Sequence, residues 1–144
     1  MDRQDTRDAR EPEEPGAGTD AVASATLQAA IEVHRVLGPG FLESVSENAL
    51  DIELAERGLH FVRQPTVPVV YKQRVVGDTR PDLLVEGGLV VELKALDRLA
   101  PIHLAQAMSY LKAMGLPLAL VVNFNVPVLL RGVRRVVRSI RPSV

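Results

Sequence analysis

The spacing of apolar residues changes near Gly58, and this change divides the chain into a helical part and a part rich in strands. Before Gly58, apolar side chains recur at intervals of three and four, which predicts helices over residues 20–36 and from 41 to about 57. Gly38-Pro39-Gly40 separates them, since Gly and Pro interrupt helices. The apolar face of the second helix is predicted to hold Phe41, Val45, Ala49 and Ile52.

From residue 60 onward the apolar period is two, which is typical of strands. Pro65 and Pro68 interrupt the first run, residues 60–71, and therefore favour an edge or bulged strand there. The remaining pattern predicts strands at 74–76, 79–85 and 89–95, a helix at 101–114, a buried strand at 118–124, and one or two short strands at 126–130 and 133–137. This α-α-β-β-β-α-β order with a β end predicts one α/β domain, a mixed sheet flanked by helices.

Charge is distributed unevenly along the chain. Residues 1–19 combine Pro, Gly and charged side chains without apolar periodicity, so they are predicted to be a disordered acidic tail. Residues 20–138 are predicted to form the domain, and residues 139–144 a short basic tail. Five arginines lie near the C-terminus: Arg131, Arg134, Arg135, Arg138 and Arg141. This basic end permits a polyanionic partner such as nucleic acid, while a solvated basic surface is the simpler interpretation.

The composition excludes several other classes of protein. The chain has no cysteine, which excludes disulfides and thiolate metal sites. Its N-terminal segment is polar and acidic, unlike a secretory signal, and no apolar run approaches the roughly 18 residues typical of a membrane span. We therefore expect a cytoplasmic protein without membrane attachment.

A short segment from residue 80 to residue 94 carries the strongest indication of chemistry. Glu92 and Lys94 are two residues apart on a predicted strand and so share one face. If Val85 pairs with Leu89 around a three-residue turn, Asp82 lies opposite Glu92 on that face. A two-residue turn at Gly87-Gly88 would instead direct Asp82 to the other face.

Two neighbouring carboxylates repel each other, and a bound cation stabilises both. Oxygen ligands suit Mg²⁺ or Mn²⁺, which also take up phosphate oxygens and make a bound water more acidic. Lys94 could orient that water or neutralise charge on a phosphate. The alternative is an ordinary Glu/Lys pair on an exposed strand, worth about 1 kcal/mol or less.

The pattern Pro81-Asp82 … Glu92-Leu93-Lys94 resembles the signature of the PD-(D/E)XK nuclease superfamily, whose restriction-endonuclease-like core has the predicted order of elements. The stretch from residue 33 to residue 45 resembles the small bacterial family named for the motif GxxExxY, and this likeness extends over about residues 25–137. The resemblance implies metal ligands at Asp82, Glu92 and the backbone carbonyl of Leu93, with Lys94 as the catalytic lysine. The final Tyr of the GxxExxY motif is Ser46 here.

The resemblance also indicates supporting positions on the helices. Glu43, the acid of the GxxExxY motif, would join the metal site, although a carboxylate three residues after Gly40 also stabilises a helix start. Gln106 and Tyr110 match a Q-x-x-x-Y pattern that lies near the metal in many relatives, which makes Gln106 a catalytic candidate. His103 and Tyr110 are expected at the boundary of the helix, and Glu47 is expected to be solvated.

Other polar residues are given simpler roles. His34 ends the first helix, where contact with backbone carbonyls is commoner than metal binding. Arg80 and Arg98 flank the candidate site and could contact phosphate, but surface arginines are abundant.

The sequence thus predicts a Mg²⁺- or Mn²⁺-dependent nuclease that hydrolyses phosphodiester bonds of DNA or RNA. A domain this small has little surface to grip duplex DNA, which favours a homodimer. Two alternatives remain: an inert domain of the same fold that binds nucleic acid or a protein partner, and a structural domain whose hairpin charges face solvent.

Overall fold

The computed structural model describes residues 17–139. Two helices come first, α1 (Ala17–Leu37) and α2 (Glu43–Glu56), and a third, α3 (Pro101–Met114), follows five strands. The strands are β1 (Phe61–Arg63), β2 (Val67–Tyr71), β3 (Arg74–Thr79), β4 (Leu83–Val85), β5 (Leu89–Lys94), β6 (Leu118–Asn123) and, after a 3₁₀ helix (Leu129–Gly132), β7 (Val133–Val137). The predictions for residues 1–16 and 140–144 lie outside the described residues.

Helix α1 begins three residues before the predicted start, and α2 begins at Glu43 rather than residue 41. The predicted apolar face of α2 is wrong, because Val45 and Ile52 are exposed and the buried residues are Ser46, Glu47, Leu50 and Leu54. Both sets have helical spacing, so periodicity alone does not separate them. The buried set contains two polar residues, which is why apolar content indicated the wrong face.

Five strands form one mixed sheet in the order β1-β4-β5-β6-β7, in which only β5 and β6 pair in parallel. Strands β2 and β3 form a separate hairpin. The run from residue 60 to 71 is therefore two strands in different sheets, interrupted around Pro65. Strand β1 is at the sheet edge, and β2 has an irregularity between Val69 and Val70, as its prolines predict. A mixed sheet flanked by helices is confirmed.

The prediction of a strand at residues 126–130 is wrong, because this segment is a loop that enters the 3₁₀ helix. Pro127 lacks the N–H that a strand ladder needs. Gly132 ends the 3₁₀ helix in close contact with β6, where an added Cβ would overlap the backbone oxygen of Asn123. The predicted strand at 133–137 is confirmed as β7.

The β4–β5 hairpin has the register that the candidate site requires. Val85 pairs with Leu89 and Leu83 with Val91, so the turn contains three residues, Glu86 to Gly88. Glu86 and Gly87 adopt left-handed conformations, with φ of 51° and 70°. The two-residue turn is therefore excluded, and Asp82 comes opposite Glu92 by continuation of the ladder.

The sheet separates two buried layers. Alternate residues of β5, Leu89, Val91 and Leu93, pack with α1 and α2. Val90 faces the other way and packs with Ala107, Tyr110 and Leu111 of α3. Glu92 and Lys94 alternate with the first set, so they share the α3 side with Val90. None of the helices within residues 17–139 is long and apolar enough to cross a membrane.

Candidate active site

Two hydrogen bonds hold Asp82 against β5 at the end of the β4–β5 hairpin, one to Glu92 and one to Leu93. The Asp82 N–H donates to Glu92 Oε2 at 2.7 Å, and the Leu93 N–H donates to Asp82 Oδ2 at 2.7 Å. Each carboxylate thus uses one oxygen to fix the backbone of the opposite segment and keeps a second oxygen available. The three-residue turn, one of the two registers that the sequence left open, is what brings the two carboxyl groups together.

Burial changes the protonation of this pair. Glu92 is 3% exposed, and burial, followed by the negative charge of Asp82, raises its pKa to about 8. Burial also raises the pKa of Asp82, although the Leu93 N–H and the Lys94 ammonium partly oppose this. Without a cation, Glu92 is therefore mostly protonated at neutral pH, and a cation would favour its charged form.

Lys94 and Glu43 face the same space. Burial raises the pKa of Glu43, the charge of Asp82 raises it further, and Lys94 lowers it. Lys94 is half-buried on β5 and also lowers the pKa of Asp82 and Glu92. Four side chains that sequence analysis selected are thus brought into one electrostatic cluster.

Tyr110 lies closer to the cluster than a boundary residue would. It is 6% exposed and forms a side-chain hydrogen bond with Thr79 at the end of β3. Burial and then the charge of Glu92 raise the pKa of its hydroxyl. His103 accepts a hydrogen bond from the Ala100 N–H at 2.8 Å and caps α3. Gln106 is exposed and forms no side-chain hydrogen bond within residues 17–139.

Sequence analysis missed a second charged layer behind Asp82. Glu47 is 7% exposed rather than solvated, because it lies on the buried face of α2. Arg63 of β1 lies 3.7 Å from Glu47 Oε1 and 3.1 Å from Asp51 Oδ2. Burial raises the pKa of both carboxyl groups, and Asp82 raises that of Glu47 further. The spacing of residues 43, 47 and 51, four apart on one helical stripe, was an available signal.

The remaining candidates lie elsewhere. His34 Nε2 is 2.7 Å from the carbonyl oxygen of Val126, so its partner is a backbone carbonyl of the loop before the 3₁₀ helix. Arg80 and Arg98 are exposed. Ser46, at the position of the motif tyrosine, is 2% exposed and packs on the inner face of α2.

The donor set suits a cation that keeps much of its water. Residues 17–139 contain no group of three or more His, Cys, Asp or Glu side chains arranged to hold a metal. The Lys94 carbonyl accepts from the N–H of Phe124, just after β6, and so is directed towards β6. The Leu93 N–H instead donates to Asp82 on the other side of β5, so the Leu93 carbonyl is also directed towards Asp82. Two carboxylates and one carbonyl would complete their shell with water, as Mg²⁺ sites do.

Comparison with known families gives one match. A sequence profile of the family described as the PD-(D/E)XK nuclease superfamily matches residues 20–136, which include every element of the fold apart from the ends of α1 and β7. Neither a curated protein nor a solved structure matches the chain.

Proposed function

The chain belongs to the PD-(D/E)XK nuclease superfamily, and on that premise we propose that it is a divalent-metal-dependent nuclease that hydrolyses phosphodiester bonds of DNA or RNA. The observation that carries the proposal is the close placement of Asp82 and Glu92 beside Lys94, in which the Asp82 N–H donates to Glu92 and the Asp82 carboxylate accepts from the Leu93 N–H. A structural hairpin would leave these charges in solvent, whereas here Glu92 is buried and its pKa is raised to about 8.

Asp82, Glu92 and the Leu93 carbonyl are the proposed ligands, with Glu43 as a fourth group reached through water or directly. When bound, Mg²⁺ or Mn²⁺ would supply positive charge next to the scissile phosphate and a more acidic water. Lys94 neutralises charge that develops on the phosphate and orients the attacking water. Gln106, one turn before Tyr110 on an exposed part of α3, would contact the substrate.

The finer assignments are also proposals. Membership of the GxxExxY family is supported by the stretch from residue 33 to residue 45 and by the positions of Glu43 and Asp82. Ser46 departs from the motif of that family, which has a tyrosine there. The buried position of Ser46 indicates a packing role for the residue that replaces the motif tyrosine. The small size of the domain, which we take as residues 20–138, supports a homodimer, and a nucleic-acid substrate fits the expected cytoplasmic location.

The test is cleavage of single- and double-stranded DNA and RNA with Mg²⁺ or Mn²⁺, with a chelator as blank. We expect wild type to cleave at least one substrate, and Asp82→Ala and Lys94→Ala to lower the rate by about a hundredfold or more. Asp78→Asn changes an exposed carboxylate of β3 and is the matched control, with activity expected to equal that of wild type.

Circular dichroism on each variant separates loss of activity from loss of folding. Undiminished cleavage by both Asp82→Ala and Lys94→Ala would contradict the assigned mechanism. Salt-sensitive nucleic-acid binding without cleavage by wild type would favour the alternative of an inert binding domain.

A further inference from the structure

A cavity of about 370 Å³ opens at the carboxyl ends of β5 and β6, outside the Asp82–Glu92 pair. Three arginines line it, Arg98 from the loop after β5, Arg131 from the 3₁₀ helix and Arg134 from β7, together with one acid, Asp97. None of the three forms an ion pair with a carboxylate of residues 17–139. The cavity therefore has an excess of positive charge that the described chain does not neutralise.

Backbone contacts fix the position of Arg134 and of the segment that precedes it. Arg134 Nη1 donates to the carbonyl oxygens of Arg131 at 3.2 Å and Val133 at 3.0 Å, which leaves the Nε and Nη2 donors of Arg134 available. Gly132, between the arginines, approaches Asn123 so closely that any Cβ would overlap the Asn123 backbone oxygen. The close contact draws the segment that carries both arginines onto the end of β6.

Asn123 fixes the opposite wall of the cavity. It is 1% exposed, its Oδ1 accepts from the Leu96 N–H at 2.9 Å, and its Nδ2 donates to the Leu96 carbonyl at 2.9 Å. These bonds hold the start of the loop that continues to Asp97 and Arg98. The cavity is thus assembled from three chain segments around one buried amide.

Strand register relates the cavity to the candidate active site. Glu92 pairs with Val121, and Val121 pairs with Arg134, so the three residues lie in one row across the sheet. Val136, two residues beyond Arg134, packs in the α3-facing layer, so Arg134 is on the same face as Glu92. Two strand spacings separate Glu92 and Arg134, which corresponds to roughly 10 Å between their backbones.

We propose that this cavity binds a phosphate group of the nucleic-acid strand, near the phosphate held at Asp82 and Glu92; this inference rests on the proposed function. Arginine guanidiniums recognise phosphate oxygens through paired hydrogen bonds. The cavity would therefore fix the position of the strand without reading its sequence.

The experiment measures binding of labelled oligonucleotides by fluorescence anisotropy in a chelator, so that cleavage does not contribute. For the double variant Arg131→Gln/Arg134→Gln we expect about tenfold weaker binding. We also expect the slope of log affinity against log salt concentration to be smaller in magnitude by about one. Arg98→Gln, a change in an exposed loop, should weaken binding in the same direction. Arg35→Gln, in the exposed pair with Glu32 on α1, is the control and should bind as wild type.

Oligonucleotides with a 5′-phosphate or a 5′-hydroxyl distinguish the two sources of phosphate. Tighter binding of the 5′-phosphorylated strand, lost in the double variant, would assign the cavity to a strand end; equal losses for both strands would assign it to an internal phosphate. Both outcomes support the proposal. The cavity proposal fails, and the proposed nuclease activity stands, if two variants fold and bind as wild type: Arg131→Gln/Arg134→Gln and Arg98→Gln. Binding without cleavage by wild type would overturn the proposed nuclease activity alone, and a wild type that neither binds nor cleaves would overturn both.

Discussion

Metal-free Glu92→Gln protein is expected to be more stable than wild type above pH 8, and to lose most of the pH dependence that wild type shows. The folded-state pKa of Glu92 is raised from its ordinary value of 4.5 to about 8. Between pH 4.5 and pH 8 the folded protein keeps a proton on Glu92 that the unfolded chain has released. The free energy of unfolding is therefore highest below pH 4.5 and falls as the pH rises through 8. At about 1.4 kcal/mol for each pKa unit, the full loss is at most about 5 kcal/mol. Glutamine keeps an acceptor for the Asp82 N–H but cannot ionise.

Denaturant unfolding from pH 5 to pH 9 in a chelator measures this difference. Glu86→Gln is the matched control on the same hairpin, because Glu86 is exposed and the His60 N–H lowers its pKa, so this change should not remove the alkaline loss of stability. Saturating Mg²⁺ should restore wild-type stability at pH 9, since a cation favours the ionised pair. Parallel pH profiles of wild type and Glu92→Gln would contradict the assigned burial of a protonated carboxyl group.

The hairpin could be predicted from sequence because its information is local. The alternation of Glu92 and Lys94 and the glycines of the turn left two registers open, and the three-residue turn from 86 to 88 shows which of them the chain adopts. The helix at residues 101–114 was predicted at both ends for the same reason, since Pro101 opens it and Gly115 ends it in a left-handed conformation.

The inner face of α2 could not be predicted in this way. Whether Glu47 and Asp51 are buried depends on Arg63, which comes from an edge strand later in the chain. Apolar content favoured the face with Val45 and Ile52, because burial of charge is rare unless a partner compensates it. Tyr110 was similarly underestimated, since its partner, Thr79, lies on a separate hairpin.

The second large effect is expected for Arg63→Ala, which removes the counter-charge of this layer. Glu47 and Asp51 have side-chain exposures of 9% and 15%, and Glu47 Oε2 and Asp51 Oδ1 have no hydrogen-bond partner within residues 17–139. Loss of one partner of a buried ion pair costs 3–5 kcal/mol, and because Arg63 is itself 45% exposed we expect about 2–3 kcal/mol at pH 8.

The pH dependence of this destabilisation distinguishes it from loss of packing. Burial already raises the pKa of Glu47 and Asp51, and Arg63 lowers both, so its removal raises them further. The folded variant therefore takes up protons on these groups at a higher pH than wild type does, and the difference in unfolding free energy should shrink as the pH falls from 8 to 5. Arg57→Ala is the control, because Arg57 pairs with Glu53 at 2.8 Å on the outer part of the same helix, and its loss should cost less than about 1 kcal/mol. A destabilisation by Arg63→Ala that is the same at pH 5 and pH 8 would show that the arginine acts through packing of its alkyl chain, and that the carboxylates behind Asp82 do not need its charge.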